Sequence, residues 1–305
     1  MQIAATENTI YTSPDASKIF CYTPSILVTP TGRLIVSFDL GGEGVKSIEG
    51  HKSSRAGGSR FGQGKIFISD DNGQKWTFVQ NFPFWHARLF TIGNSIYLIG
   101  HAGDICIMKS EDNGESWSDT YFLTHGEKWH SSACNVLFSN GNVSLAMEQR
   151  CRLNEVTGWD VAGLSPTLFR ACVEDNLCLA SSWSRSEKFI YKEVFDGAKL
   201  DFFGIPFYDC ETNKPKEIAT GINNAPLGWL EANVVKFVDK DHIWHTDLKE
   251  VFHLFLRAHT GGVNYAHLFK IEIQDDQSMI PSLEHTPSGQ KISYIPFPGG
   301  HLKFF

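Results

Sequence analysis

The chain has 305 residues, 42% hydrophobic and 13% aromatic, and a formal net charge of −7 at pH 7. That is enough apolar material for one large β domain or two small ones. The absence of a basic run excludes nucleic acid as the expected partner. A small anionic ligand stays admissible, because local charge and not net charge decides its binding.

Met1 to Asn8 lacks the basic start and apolar core of a secretion signal, and no run of about 18 apolar residues predicts a membrane span. The expected location is cytoplasmic, or secreted or periplasmic if a leader has been removed. The seven cysteines, Cys21, Cys106, Cys134, Cys151, Cys172, Cys178 and Cys210, are odd in number and scattered in spacing. They read as buried, reduced thiols.

The abundance of Phe, Trp, Tyr and Gly predicts many short strands joined by tight turns, with little helix. The first group of strands runs Pro24 to Val28, turns at Thr29-Pro30-Thr31-Gly32, returns through Arg33 to Phe38, and continues at Lys65 to Ser69. The second starts at Trp85 to Phe90, turns at Gly93-Asn94, and continues through Ile96 to Ile99 and Ile105 to Lys109. The third starts at Trp129-His130 and Asn135 to Phe138, turns at Asn140-Gly141, and continues through Val143 to Glu148 and Phe169 to Val173. The fourth takes Gly228 to Glu231, Val251 to Arg257 and Tyr265 to Ile273, after a polar stretch, Cys210 to Asn224, that reads as a long loop. Phe297 to Phe305 looks like the opening strand of a fifth group.

Two segments repeat one turn signature. Ser69-Asp70-Asp71-Asn72-Gly73-Gln74-Lys75-Trp76 and Ser110-Glu111-Asp112-Asn113-Gly114-Glu115-Ser116-Trp117 both fit S-x-D-x-G-x-x-W, 41 residues apart, and both follow a strand. At a hairpin tip the aspartate can accept bonds from turn amides, the glycine can take positive φ, and the tryptophan can pack back over the turn. The pair resembles the Asp-box, or BNR repeat, of the sialidase (neuraminidase) superfamily. That resemblance implies an all-β, sialidase-like β-propeller of the six-bladed type, one domain across residues 1–305. Four blades and the start of a fifth are traced, so the expectation is either an unusually small ring or one incomplete at the C-terminus.

In a propeller the innermost strands line a central channel, and polar residues at their starts are informative. Here they come in period-two pairs: His86 with Arg88, His130 with Ser132, Glu231 with Asn233, and His301 with Lys303. Alternation places both members of a pair on one face. The superfamily resemblance implies roles for some of them. Trp229 to Val235 looks like the strand whose glutamate, here Glu231, activates a tyrosine nucleophile. Leu254 to Arg257 looks like the strand bearing a clamp arginine, here Arg257. Tyr22 stands where the first clamp arginine would be. The acid aspartate, in the loop after the first blade, is Asp39, with Glu43 and Glu49 as competitors. A guanidinium holds a carboxylate bidentately, and a neutral tyrosine can attack an anionic sugar without charge repulsion.

The expected activity is exo-acting release of a terminal acidic sugar by a glycoside hydrolase that needs no cofactor. The expected partner is an acidic oligosaccharide. A second reading is a propeller polysaccharide lyase acting on uronic acids, with His130 as base and His86, His301, Lys303, Arg88 and Tyr22 as supporting groups. A third is a non-catalytic sugar-binding propeller. Trp85, Trp129 and Trp229 read either as sugar-stacking platforms or as core. His242 and His245 lie close together without a third ligand, so no metal site is expected. Gly57 to Gly64 reads as a flexible loop over the channel, carrying Arg55 and Arg60. Glu148 and Arg170 read as ion partners or supporting groups.

Overall fold

The computed structural model describes residues 7–54, 61–130, 135–151, 161–194, 216–219, 222–224, 228–259 and 265–296. Among these residues the protein is all-β apart from one turn of helix, α1 (Tyr191–Val194), and short 3-10 turns. No helix among them is long and apolar enough to cross a membrane. Contacts gather into two compact units: residues 1–127 with 176–180, and residues 128–175 with 181–305.

Unit 1 holds two antiparallel sheets. The first contains β1 (Phe20–Val28), β2 (Leu34–Gly41), β3 (Ser53–Ser54), β4 (Phe61–Ser69) and β5 (Thr77–Phe82); β2 lies between β1 and β4, and β4 also pairs β3 and β5. The second runs in chain order through β6 (Trp85–Ile92), β7 (Ser95–Ala102), β8 (Asp104–Ser110) and β9 (Tyr121–Phe122). Such meanders follow from short hairpin turns between half-apolar strands.

Strand β2 is buried along nearly its whole length, and its alternation sends side chains to two different cores. Ile35 packs with Ile66, Phe82, Phe84, Leu89 and Leu98. Val36, Phe38 and Leu40 pack with Ile19 and Phe67 instead. The glycines Gly62 and Gly64 belong to β4 and not to a loop as expected. A Cβ at Gly62 would lie 2.2 Å from the Trp85 ring, and one at Gly64 would lie 1.9 Å from the Phe82 ring. These two positions are glycine because aromatic rings rest directly on the backbone. Residues 55–60, with Arg55 and Arg60, lie outside the described set.

Both repeated turns have the expected geometry. In the first, Asp71 Oδ1 accepts the Lys75 amide at 2.8 Å and the Ser69 hydroxyl at 2.9 Å, while Ser69 Oγ accepts the Gly73 amide at 2.9 Å. In the second, Asp112 Oδ1 accepts the Ser116 amide at 2.9 Å and the Ser110 hydroxyl at 2.8 Å, and Ser110 Oγ accepts the Gly114 amide at 2.9 Å. Arg33 joins the two tips. It binds Asp70 through Nε and Nη2 at 2.6 and 3.0 Å and reaches Asn113 O and Glu115 Oε1 at 3.2 Å.

Unit 2 has a third sheet made of β10 (Trp129–His130), β11 (Leu137–Ser139), β12 (Asn142–Arg150), β13 (Leu164–Cys172) and β14 (Ser184–Arg185), in which β12 pairs β10, β11 and β13. β13 begins five residues earlier than the sequence predicts. The two-stranded ladder β15 (Lys216–Ala219) and β16 (Ile222–Asn224) falls within the stretch expected as loop. The fourth sheet orders β17 (Gly228–Val235), β18 (Val251–His259), β19 (Tyr265–Ile273) and β20 (Met279–Ser282). β21 (Glu284–His285) pairs β22 (Lys291–Ile292), and β23 (Tyr294–Pro296) pairs β19.

The third and fourth sheets share a core of Ala146, Leu168, Trp229, Val234, Phe252, Leu254 and Phe269. Trp229 is fully buried, stacked on Phe189 at 5.5 Å, with its Nε1 donating to Leu164 O at 3.2 Å. Trp129 is buried edge-on against Phe169, and Trp85 is 6% exposed. All three tryptophans are therefore core residues and not sugar platforms. Of the cysteines, Cys106 and Cys178 are buried, Cys151 and Cys172 half-buried, and Cys21 exposed, so the expectation of buried thiols fails at three positions. Burial pushes the Cys106 thiol up to about 12, which keeps it protonated and inert. Cys134 and Cys210 lie outside the described residues.

Candidate functional site

One device recurs on the first strands. β1 carries a bulge between Tyr22 and Ser25, β6 between Trp85 and Arg88, and β17 between Leu230 and Asn233. In each, the first inserted residue is left-handed and is not glycine: Thr23 at φ 46°, His86 at 52° and Glu231 at 61°. A bulge breaks the period of two, re-aims a side chain and leaves an amide without a ladder partner. The same-face argument for His86 with Arg88, and for Glu231 with Asn233, therefore does not hold. The bulge separates each pair.

The re-aimed side chains meet the second strand of their own sheet. Trp85 lies opposite His101, and the neighbouring His86 Nδ1 is 3.0 Å from His101 Nε2. Leu230 lies opposite Arg257, and the neighbouring Glu231 Oε2 accepts a bond from Arg257 Nη1 at 3.2 Å. The matching cross-strand pairs in the other two sheets are Tyr22 with Asp39 and His130 with Glu148.

The freed bulge amides are also satisfied, within each unit, by a buried carboxylate. Asp39 Oδ1 accepts the His86 amide at 3.2 Å, and Glu148 Oε1 accepts the Ala232 amide at 3.0 Å. Asp39 and Glu148 both have zero exposure. Two further side chains bond to these first strands: Ser25 Oγ accepts the Leu89 amide at 3.1 Å, and Asn135 holds both the amide and the carbonyl of Val234 at 2.8 Å.

In unit 1, Asp39 is a buried residue of β2 and not part of a loop, so it is not placed as an accessible acid. Glu43 and Glu49, its competitors, are exposed. Tyr22 is 46% exposed and its ring lies over Gly41. His86 and Arg88 are half-buried. In unit 2, Glu231 and Arg257 lie together at the β17 bulge, with His130 and Glu148 joined to it through Ala232, while Asn233 lies beyond the bulge opposite Phe255. Asn233 Nδ2 is buried with no hydrogen-bond partner among the described residues. His301, Lys303 and Ser132 lie outside the described residues.

His242 stacks on Phe237 at 3.9 Å and His245 Nδ1 bonds Phe237 O at 2.8 Å, so both imidazoles serve the loop between β17 and β18. Arg170 is an ion partner, bonding Glu250 at 2.6 Å. His101 was missed in the sequence. Counting back from the Gly93-Asn94 turn places it opposite Trp85 only when one extra residue is allowed for the bulge.

No family model matches the sequence, and comparison with curated proteins gives no match. Among solved structures, a protein of unknown function from Dyadobacter fermentans is 14% identical, with 90% of this chain and 70% of that chain covered at a TM-score of 0.51. This is a likeness of fold. An α-L-arabinanase from Penicillium chrysogenum, complexed with arabinobiose, is 11% identical over 94% of this chain and 73% of that one, at 0.45. The NanB sialidase of Streptococcus pneumoniae is 11% identical over 91% of this chain and 50% of that one, at 0.46.

Proposed function

We propose that the protein is a sialidase-like propeller, one domain across residues 1–305, that releases a terminal acidic sugar from a glycan. The observation that carries the reading is the Glu231–Arg257 pair. A carboxylate is held at a left-handed bulge against a guanidinium, at side-chain exposures of 14% and 20%. Strained non-glycine backbone of this kind concentrates at functional sites. The repeated aspartate turns and the chain-ordered antiparallel sheets agree with the same architecture. In this reading Arg257 holds the sugar carboxylate and Glu231 is the proton acceptor.

The second reading is a uronic-acid lyase, favoured by His130 beside Glu148. The base takes the proton next to the carboxylate, the C–H pair becomes a C=C bond, the glycosidic C–O bond breaks, and water protonates the departing oxygen.

Incubation with sialosides and uronate-terminated oligosaccharides separates the readings. Free sialic acid supports hydrolysis, an unsaturated uronate supports elimination, and neither product nor binding overturns both. Glu231→Gln removes a proton acceptor but keeps the shape, so hydrolysis should be abolished with binding largely intact. Arg257→Ala should weaken binding by about 2–4 kcal/mol, because the ligand carboxylate loses its partner in a desolvated site.

A further inference from the structure

We propose that Asn140 is a site of spontaneous covalent change: its side-chain amide is lost through a ring closed with Gly141, which sets a carboxylate against Glu250. This chemistry is independent of the glycan reading above.

The chain contains three Asn-Gly steps, Asn72-Gly73, Asn113-Gly114 and Asn140-Gly141. Each is open to the same reaction, because glycine puts no side chain in the way of its own amide nitrogen. That nitrogen, once deprotonated, attacks the asparagine Cγ. The new C–N bond closes a succinimide, and the side-chain nitrogen leaves with the proton as ammonia. Water then opens the ring at one of its two carbonyls. One product is aspartate. The other is isoaspartate, whose main chain runs through Cγ.

The fold decides which step reacts. All three asparagines are left-handed, at φ 58°, 61° and 49°, so backbone conformation does not separate them. Their glycine amides do. Gly73 is buried and its amide donates to Ser69 Oγ at 2.9 Å; Gly114 is buried and its amide donates to Ser110 Oγ at 2.9 Å. A nucleophile held in that way must first give up its bond. Asn140 and Gly141 are both exposed, at the two-residue tip between the paired Ser139 and Asn142. Gly141 lends its carbonyl to the Val173 amide at 3.0 Å, but its own amide makes no hydrogen bond among the described residues. A Cβ at Gly141 would meet nothing within 4 Å, so the step is open to solvent.

The side chain that is lost has a partner. Asn140 Nδ2 donates to Glu250 Oε1 at 2.9 Å, and the same carboxylate takes Lys236 Nζ at 3.3 Å and Arg170 Nη2 at 2.6 Å. The Asn140 bond must break before the ring closes. Asn113 carries a like tether, from Nδ2 to Thr31 Oγ1 at 2.9 Å, and Asn72 has none among the described residues, which leaves the glycine amide as the feature that favours Asn140. Afterwards an acceptor oxygen faces Glu250 where a donor stood, and two carboxylates share the cations that held one.

The test incubates the whole chain at neutral pH, native and in urea, and follows the three peptides by mass spectrometry, with an isoaspartyl methyltransferase to report isoaspartate. In urea the three steps should convert at similar rates. In the native protein Asn140 should convert on the order of tenfold faster than Asn72 and Asn113, whose glycine amides must first break a hydrogen bond in a buried place. Equal native rates, faster native conversion at Asn72 or Asn113, an Asn140 that stays intact in the native protein, or the same preference in urea overturns the proposal. Asn140→Asp should lower the urea midpoint at neutral pH, and an unchanged midpoint overturns the conflict with Glu250.

Discussion

Glu231 and His267 show two ways in which unit 2 accepts a local penalty. For a residue other than glycine, the left-handed conformation of Glu231 costs about 1–2 kcal/mol, and it persists because the ladder on either side fixes it. His267 carries an electrostatic penalty instead. It has zero exposure, lies edge-on to Trp229 and Tyr191 at 5.5 Å, and has Nδ1 3.0 Å from Ser293 Oγ. Burial lowers its pKa from 6.5 to about 3. The unfolded chain therefore takes up a proton below pH 6.5 that the folded chain refuses until about 3, and stability falls as pH drops through that window. The slope is about 1.4 kcal/mol per pH unit for one such proton. Glu284 also acts on the acid side, but in a lower window. Burial opposes its charge, yet bonds from His253 and the His285 amide outweigh this and leave its pKa below 4.5. Its contribution is complete above 4.5 and is lost as pH falls through the lowered value. His267→Gln should lower stability at neutral pH through lost packing, yet flatten the dependence between pH 6.5 and 4.5. Urea midpoints at a series of pH values measure it. An unchanged slope would show that His267 is not the group responsible.

The two aspartate turns share their hydrogen bonds but not their surroundings, and this makes a discriminating pair of substitutions. Gly73 and Gly114 have φ of 82° and 87°, so an alanine at either is strained. At Gly73 the nearest atom to a new Cβ is 3.4 Å away, on Trp76, whereas at Gly114 it is Ile35 Cδ1 at 2.5 Å. Ile35 is fully buried, so its terminal methyl could shift only by displacing packed neighbours. Gly73→Ala should cost about 1–2 kcal/mol from the backbone alone, and Gly114→Ala should add about 1–3 kcal/mol of overpacking. Equal losses in a denaturant titration would refute the difference. These turns were legible in the sequence because glycine and aspartate chemistry is local and spaced. The strands were legible because Leu34 to Phe38 or Val251 to Leu256 alternate between two buried faces. The bulges were not legible. Thr23 and Glu231 carry none of the residue-type signal of positive φ and His86 carries only a weak one; the flanking ladders hold all three there, helped at His86 by the bond from its amide to Asp39.

At the scale of the whole chain, the site candidates divide by how far their partners lie in sequence. Glu231 and Arg257 sit on adjacent strands and could be matched, whereas the Glu148–Ala232 bond joins residues 84 apart and had no sequence signature. Net charge acts at longer range still, and it supplies a test of the ligand's sign. With −7 on the chain, an anionic sugar approaches against a repulsive field, although its final contact is with Arg257. The field reaches about 30 Å at about 0.01 M salt and about 8 Å at about 0.15 M, so salt removes the approach penalty. It acts far less on a contact whose two side chains are 14% and 20% exposed. The association rate of an acidic glycan should therefore rise with salt over that range, while its dissociation rate changes little. Stopped-flow measurements with a sialoside and a neutral oligosaccharide would check this. A steep fall for the sialoside would mean that a local positive field governs approach. A salt-independent rate for the neutral oligosaccharide, with no binding of the sialoside, would defeat the acidic-sugar reading and leave a protein that takes a neutral glycan.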